Sequence, residues 1–177
     1  MKRFTIISAG RRFGKSKLCA YLALRELIAS NRKIWVVAPS YELSRKVFNE
    51  LIPWARRYFP RFLDAKESPH PIVKSQSGSI LEGKSADEPF SLMGEELDLV
   101  ILDEASAIDK KVWDMYIFPT LQIRKGRGVL ISTPKGQNWF YKIYKAEHKF
   151  PKHFKSFQFE SRINPLFTQD MWDLAKA

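Results

Sequence analysis

Apolar residues in this chain fall into short continuous runs separated by stretches with helical spacing. Phe4–Ser8 is the first run and reads as a strand. Lys15–Ala29 carries apolar positions every three to four residues and reads as a helix ending near Ser30 and Asn31. "KIWVVA", from Lys33 to Ala38, is a second strand, stopped by Pro39-Ser40. Ser40 can cap the helix that follows, whose Leu43, Val47, Leu51, Ala55 and Tyr58 are spaced to form one apolar face, with Pro53 expected to bend it. Residues 60–71 hold three prolines and read as loop. "IVKSQ" and "SILEGKS" flank Ser77-Gly78, the pattern of a hairpin. Leu97–Leu102 is nearly all apolar, as a strand buried on both faces must be. A helix over Lys110–Ile117, a buried strand in "GVLIST", a helix over Gln137–His148, a strand over His153–Phe159 and a short helix over Thr168–Lys176 complete the pattern.

Strands alternating with helices predict an α/β fold, with a mostly parallel central sheet and helices on both faces. In such sheets ligands bind beyond the carboxyl ends of the strands. Three motifs lie at those ends.

The first is Ala9-Gly10-Arg11-Arg12-Phe13-Gly14-Lys15-Ser16, between the first strand and the first helix. Backbone N–H groups of such a loop, with the start of the helix through Lys17, cradle a phosphate chain. Lys15 would reach the β- and γ-phosphates and the Ser16 hydroxyl would help hold Mg²⁺. Gly14 allows close backbone approach, while Ala9 puts a Cβ where a glycine is usual, with Gly10 beside it to supply flexibility. The second motif is "LVILDE", a buried strand ending in two carboxylates. Asp103 would hold Mg²⁺ and Glu104 would polarise an attacking water, since consecutive side chains at a strand end can take separate tasks. The third is Ser132-Thr133-Pro134, whose hydroxyls could bond a γ-phosphate and report its loss. Arg11 is a candidate phosphate sensor acting in cis; the alternative is a structural ion pair with Glu104 or another acid.

Composition narrows the partners. Hydrophobic residues make up 45% and charged residues 28% of 177, enough for one globular domain with a core. The longest apolar runs are too short to span a bilayer, and no cleavable leader is evident, so no membrane association is expected. The single cysteine, Cys19, cannot form an internal disulfide and is expected as a small buried residue in a reducing cytoplasm. The three histidines are scattered and form no metal-ligand spacing. A net charge of +11 points to a polyanionic partner such as nucleic acid.

Taken in order and spacing, "AGRRFGKS", "VVAPSYELSRKVFNEL", "LMGEELDLVILDEAS", "ISTPKGQNWFYKIY" and "SRINPLF" resemble the ATPase domain of the large terminase subunit of tailed bacteriophages. Loops of that family often lack the first glycine and carry an arginine at the place of Arg11. The resemblance implies a P-loop NTPase fold of the RecA/ASCE type and a motor that hydrolyses ATP with Mg²⁺ to push double-stranded DNA into a procapsid. It implies Lys15, Ser16, Asp103 and Glu104 in the roles above, and Ser132, Thr133 and Pro134 as a coupling motif. It further implies a homo-oligomeric ring on the portal protein, a small terminase subunit as partner, and action in the host cytoplasm, the isolated domain being a monomer. On this basis residues 1–160 form the ATPase domain and 161–177 lead toward a linker, without the nuclease domain of full-length relatives. Little sequence precedes the loop for the adenine-contacting segment of many relatives. "SLMGEELD" has no arginine where some relatives place a finger that acts in trans; Arg56, Arg124 and Arg127 are the alternatives.

Other readings are a RecA-like helicase lobe, a small-molecule kinase, and a nucleotide-gated DNA-binding module with little turnover. A helicase needs a second lobe of similar size, and a strand-ending glutamate placed to activate water disfavours a kinase.

Overall fold

Residues 2–67, 70–164, 168, 170 and 173 are described by a computed structural model. Its sheet has eight strands: β1 (Phe4–Ala9), β2 (Lys33–Ala38), β3 (Leu63–Lys66), β4 (Ile72–Ser75), β5 (Ile80–Ser85), β6 (Leu99–Leu102), β7 (Arg127–Ser132) and β8 (Phe154–Phe159). Their order is β3-β4-β5-β2-β6-β7-β1-β8. Only β4 runs antiparallel to its neighbours; all other pairs are parallel. The α/β class and the mostly parallel sheet therefore stand as expected.

Two-residue alternation sorts the central strands between two cores. Ile7, Ala9, Ile34, Val36, Leu99, Ile101, Val129 and Ile131 face α1 (Lys15–Leu27) and α2 (Tyr41–Tyr58). Phe4, Ile6, Trp35, Val37, Val100, Leu102 and Leu130 face the other layer, with Val112, Trp113, Ile117 and Phe140. Both faces are covered, so these strands are apolar at nearly every position. Each Val, Leu, Ile or Phe among them contributes about 1.5–3 kcal/mol when fully buried.

Differences from the sequence reading have local causes. Residues 63–66 form β3 rather than loop: the prolines flank the segment instead of interrupting it, and Leu63 and Ala65 pack against the α1/α2 core. In α2 the buried stripe is Ser44, Val47, Phe48, Leu51, Ile52 and Ala55. Tyr58 is 62% exposed, and Leu43 is half-buried and lines the cleft. Ser40 does cap α2, accepting from the Leu43 amide at 3.4 Å, and the helix continues through Pro53, which lies on its exposed side. The Lys110–Ile117 helix is α3 (Lys110–Val112), a π-turn over Trp113–Ile117 and α4 (Phe118–Thr120). Pro119 has no N–H to donate, and the helix widens just before it. The next helix starts two residues later than Gln137, at Trp139, capped by Asn138, and divides into α5 (Trp139–Tyr144) and α6 (Ala146–Lys149). The hairpin at Ser77-Gly78 is present as β4–β5. The predicted helix over Thr168–Lys176 lies for the most part outside the described residues. Among the described residues no helix is long and apolar enough to cross a membrane.

Candidate active site

The strand order decides where the three motifs meet. β7 lies between β1 and β6, so the loop after β1, the acids after β6 and Ser132-Thr133 at the end of β7 share one edge of the sheet. Together they open onto a cleft of about 1090 Å³, walled on the far side by Pro39, Leu43, Lys46 and Glu50 around the start of α2. Lys15, Ser16, Asp103, Glu104, Thr133 and Pro134 all line it.

Gly14 precedes α1 in the left-handed conformation, φ 78°, and no side chain caps the helix or places an acid in its first turn. By contrast α2 has both a serine cap and Glu42. The amides at the start of α1 therefore keep donor capacity and positive dipole for an external anion. Arg12, two residues before Gly14, is also left-handed, φ 59°. Arg11, Arg12, Lys15, Lys17, Lys46 and Lys135 give the cleft six cations against three carboxylates, Glu50, Asp103 and Glu104. That excess suits a polyphosphate. Phe13, expected in the loop, is half-buried and stacks on Phe159 with ring centroids 5.1 Å apart.

Two expectations about the loop need correction. Ala9 is not at a tight turn: it is the last residue of β1, pairs with Phe159 of β8 and is 1% exposed, so its Cβ fills the core. Gly10 does not supply left-handed freedom either. It is small because a Cβ there would stand 1.9 Å from Ser161 Oγ and 2.8 Å from Ser161 N. Gly14 carries the conformational requirement, and beyond its own chain neighbours nothing lies within 4 Å of where its Cβ would be.

Lys15 Nζ donates to Gly10 O at 2.9 Å, to Ala9 O at 3.3 Å and to Thr133 Oγ1 at 3.0 Å. The first and third motifs are thus joined through the lysine. Ser16 Oγ approaches Asp103 Oδ2 at 3.5 Å, joining the first and second. The Asp103 Oδ1 accepts from the Glu104 amide at 3.0 Å. Glu104 itself is left-handed, φ 51°, a conformation costing a non-glycine residue about 1 kcal/mol or more, and it turns the chain so that two successive carboxylates reach one cleft.

Burial, and after it the neighbouring Glu104 carboxylate, pushes Asp103 above the ordinary value of 3.8; the Glu104 amide, Lys15 and Ser16 pull less strongly the other way. A carboxyl whose folded pKa is raised holds its proton more tightly when folded. Its ionisation therefore costs stability as pH rises from its unfolded value, near 3.9, through the raised one. We expect Asp103→Asn to raise the melting temperature of the nucleotide-free protein at pH 7, with the gain shrinking as pH falls toward about 4, as thermal melts across pH would show. One buried carboxylate, one hydroxyl and otherwise open space are donors that fit Mg²⁺, which keeps waters and takes one or two carboxylates plus substrate phosphates.

Ser132 and Thr133 do more than end a strand. Ser132 Oγ donates to Ser106 Oγ at 2.7 Å and accepts from the Ser106 amide at 3.1 Å, and Ser106 Oγ donates to Thr133 O at 3.3 Å. Asn138 Nδ2 donates to Ser106 O at 3.3 Å. Ser106, two residues beyond Glu104, and Asn138 were not among the sequence candidates; the cap signal at Asn138 is the trace they leave in the sequence. Asn164, which is 8% exposed, donates from Nδ2 to Arg12 O at 2.9 Å and was also missed.

The arginines separate into two groups. Arg11 is exposed at the cleft, and among the described residues it forms no ion pair, so the structural pairing with Glu104 is not made. Arg124 pairs with the buried Asp98 at 3.0 Å, and Arg127 with the buried Glu26 at 2.5 Å. Both pairs lie where β6 and β7 begin, at the end of the sheet away from the cleft. Arg56 pairs with Glu67, both exposed.

A family model described as "Terminase large subunit, T4likevirus-type, N-terminal" matches residues 6–173. The chain is 36% identical over 153 residues to the large terminase subunit of Thermus phage G20c, covering 76% of this chain and 32% of that protein. It thus spans about a third of the length of that relative. Its fold is similar to the large terminase ATPase domain of Thermus phage P74-26, with a TM-score of 0.78, 28% identity, and coverage of 99% of this chain and 80% of the other. The large terminase of another thermophilic bacteriophage, in complex with ADP, shares the fold at 13% identity, with a TM-score of 0.76 over 99% of this chain and 44% of that one.

Proposed function

Because the chain belongs to the terminase large-subunit family, as an N-terminal domain of the ATPase type, we propose that it is a Mg-ATP-hydrolysing motor that drives double-stranded DNA into a viral procapsid. The observation that carries this reading is the convergence of Lys15, Ser16, Asp103, Glu104 and Thr133 on one cationic cleft. Amides of the loop and of the first turn of α1 bind the triphosphate, and Lys15 exchanges its loop carbonyls for β- and γ-phosphate oxygens. Ser16 and Asp103 are the residues that would hold Mg²⁺, which when bound neutralises charge on those oxygens. Glu104 accepts a proton from a water as that water's oxygen bonds to the γ-phosphorus and the bond to the β–γ bridging oxygen breaks. Arg11 stabilises the charge that builds there.

Thr133 touches Lys15, and Ser132 holds Ser106 just beyond the acids. On this reading Ser132, Thr133 and Pro134 sense γ-phosphate loss from both sides and pass it to β7. The working state is a homo-oligomeric ring on the portal protein, with a small terminase subunit as partner, in the host cytoplasm. Phosphate release from ATP with Mg²⁺ tests the enzyme, and a rate rising more than linearly with protein concentration identifies contributions from neighbouring copies. Linear, negligible release with intact ATP binding would favour the nucleotide-gated DNA-binding module instead. With a charge of +11, DNA affinity is expected to fall about 10³-fold or more between about 50 and 200 mM salt, as fluorescence anisotropy would report. A flat response would leave the charge without a DNA role.

A further inference from the structure

The loop that lines the cleft is held from outside by residues near the end of the described chain. From the last residue of β8 and the segment just past it, four contacts reach the loop. The Gly10 amide donates to Phe159 O at 3.1 Å. The missing Cβ of Gly10 is the space into which Ser161 packs. The Phe13 ring stacks on Phe159 at 5.1 Å. Asn164 Nδ2 donates to the carbonyl of Arg12 at 2.9 Å. All four act on Gly10, Arg12 and Phe13, between the end of β1 and the start of α1, where Lys15 Nζ also donates to Gly10 O. Arg12 is the least favourable backbone in that stretch, a left-handed non-glycine residue costing about 1–2 kcal/mol, and it is the one that a buried side-chain amide fixes.

From this we infer that Phe159–Asn164 is a clamp that pre-shapes the phosphate loop, with Asn164 as a positioning residue. Without the clamp, Arg12 relaxes toward commoner backbone angles and the loop must be reordered by each nucleotide it binds. That ordering cost is subtracted from affinity. The coupling works in both directions: a nucleotide seated in the loop steadies the Phe159–Asn164 segment and so makes the chain beyond it sensitive to occupancy. The inference rests on the nucleotide reading of the cleft only for its ligand; the effect on the loop itself does not.

The test is Asn164→Ala, followed by amide hydrogen exchange without nucleotide, by ADP·Mg binding and by steady-state hydrolysis. Expected are faster exchange at the amides of 10–16 with β2, β6 and β7 unchanged, an about five- to tenfold weaker ADP affinity, and a raised KM with kcat near the parent's. In the parent, ADP should slow exchange at residues 159–164. Asn164→Ser, too short to reach Arg12 O, serves if the alanine variant does not fold. Unchanged exchange at 10–16 in a folded variant overturns the clamp, as does unchanged ADP affinity where the parent binds ADP. A lowered kcat at unchanged KM would also overturn it, since a loss of active molecules gives that signature. Absence of ADP binding to the parent would instead count against the nucleotide reading, and the exchange experiment would still decide the clamp.

Discussion

Glu104→Gln is expected to bind ATP with near-parental affinity and to hydrolyse it about 10²–10⁴-fold more slowly, the usual worth of a positioned general base. The substitution is chosen for what it leaves alone. The Glu104 backbone amide still donates to Asp103, its carbonyl still accepts from Ala107, and the side chain keeps its shape. What is lost is the negative charge and with it the capacity to take a proton. Ser16, Asp103 and Lys15 are untouched, so the triphosphate should still be held. Single-turnover phosphate release beside equilibrium binding of ATP separates the two quantities. Parental turnover would show that another group activates the water, and the assignment of Glu104 would be withdrawn.

Lys15→Ala should have the broader effect, lowering both binding and turnover. A hydrogen bond to a charged group is worth about 1.5–3 kcal/mol, so affinity should drop about 10- to 100-fold. Charge stabilisation in the transition state adds a further loss of about 10²–10³ in rate. The lysine has a second task in the nucleotide-free protein. It bridges Ala9 O, Gly10 O and Thr133 Oγ1, tying the loop to the end of β7. Its removal should therefore loosen the loop while the two cores, to which it contributes nothing, stay intact. Thermal melts discriminate: the parent should gain about 2.7 kcal/mol of stability at a ligand concentration 100 times Kd, and the variant little. An undiminished ADP-induced shift in Lys15→Ala would contradict the placement of phosphate in this cleft.

Much of the site was readable because its parts are local. The strand–loop–helix of residues 4–27 shows itself in a short apolar run, a glycine-containing turn and an amphipathic helix, each set by neighbours within a few residues. "LVILDE" needed only a run of buried positions followed by acids. Where the reading failed, the deciding partner lay far along the chain. Gly10 looked like a hinge and is a packing surface for Ser161. The partners of Arg124 and Arg127, Asp98 and Glu26, were not visible in the sequence. Residues 63–66 looked like a proline-rich loop because the strand they pair with, β4, is what makes them a strand.

By itself, then, the chain's order of residues determined which segments are strands and helices in the centre of the domain, and which three turns carry phosphate, acid and hydroxyl chemistry. Periodicity reports backbone geometry and burial, and both are short-range properties. Only the tertiary structure decided that β7 stands between β1 and β6, which brings Thr133 to Lys15 across 118 residues and Asp103 to Ser16 across 87. Only it decided that Asn164 reaches Arg12 across 152. Contacts of that span depend on how whole elements stack, and stacking follows from the summed burial of two cores rather than from any residue's near neighbours.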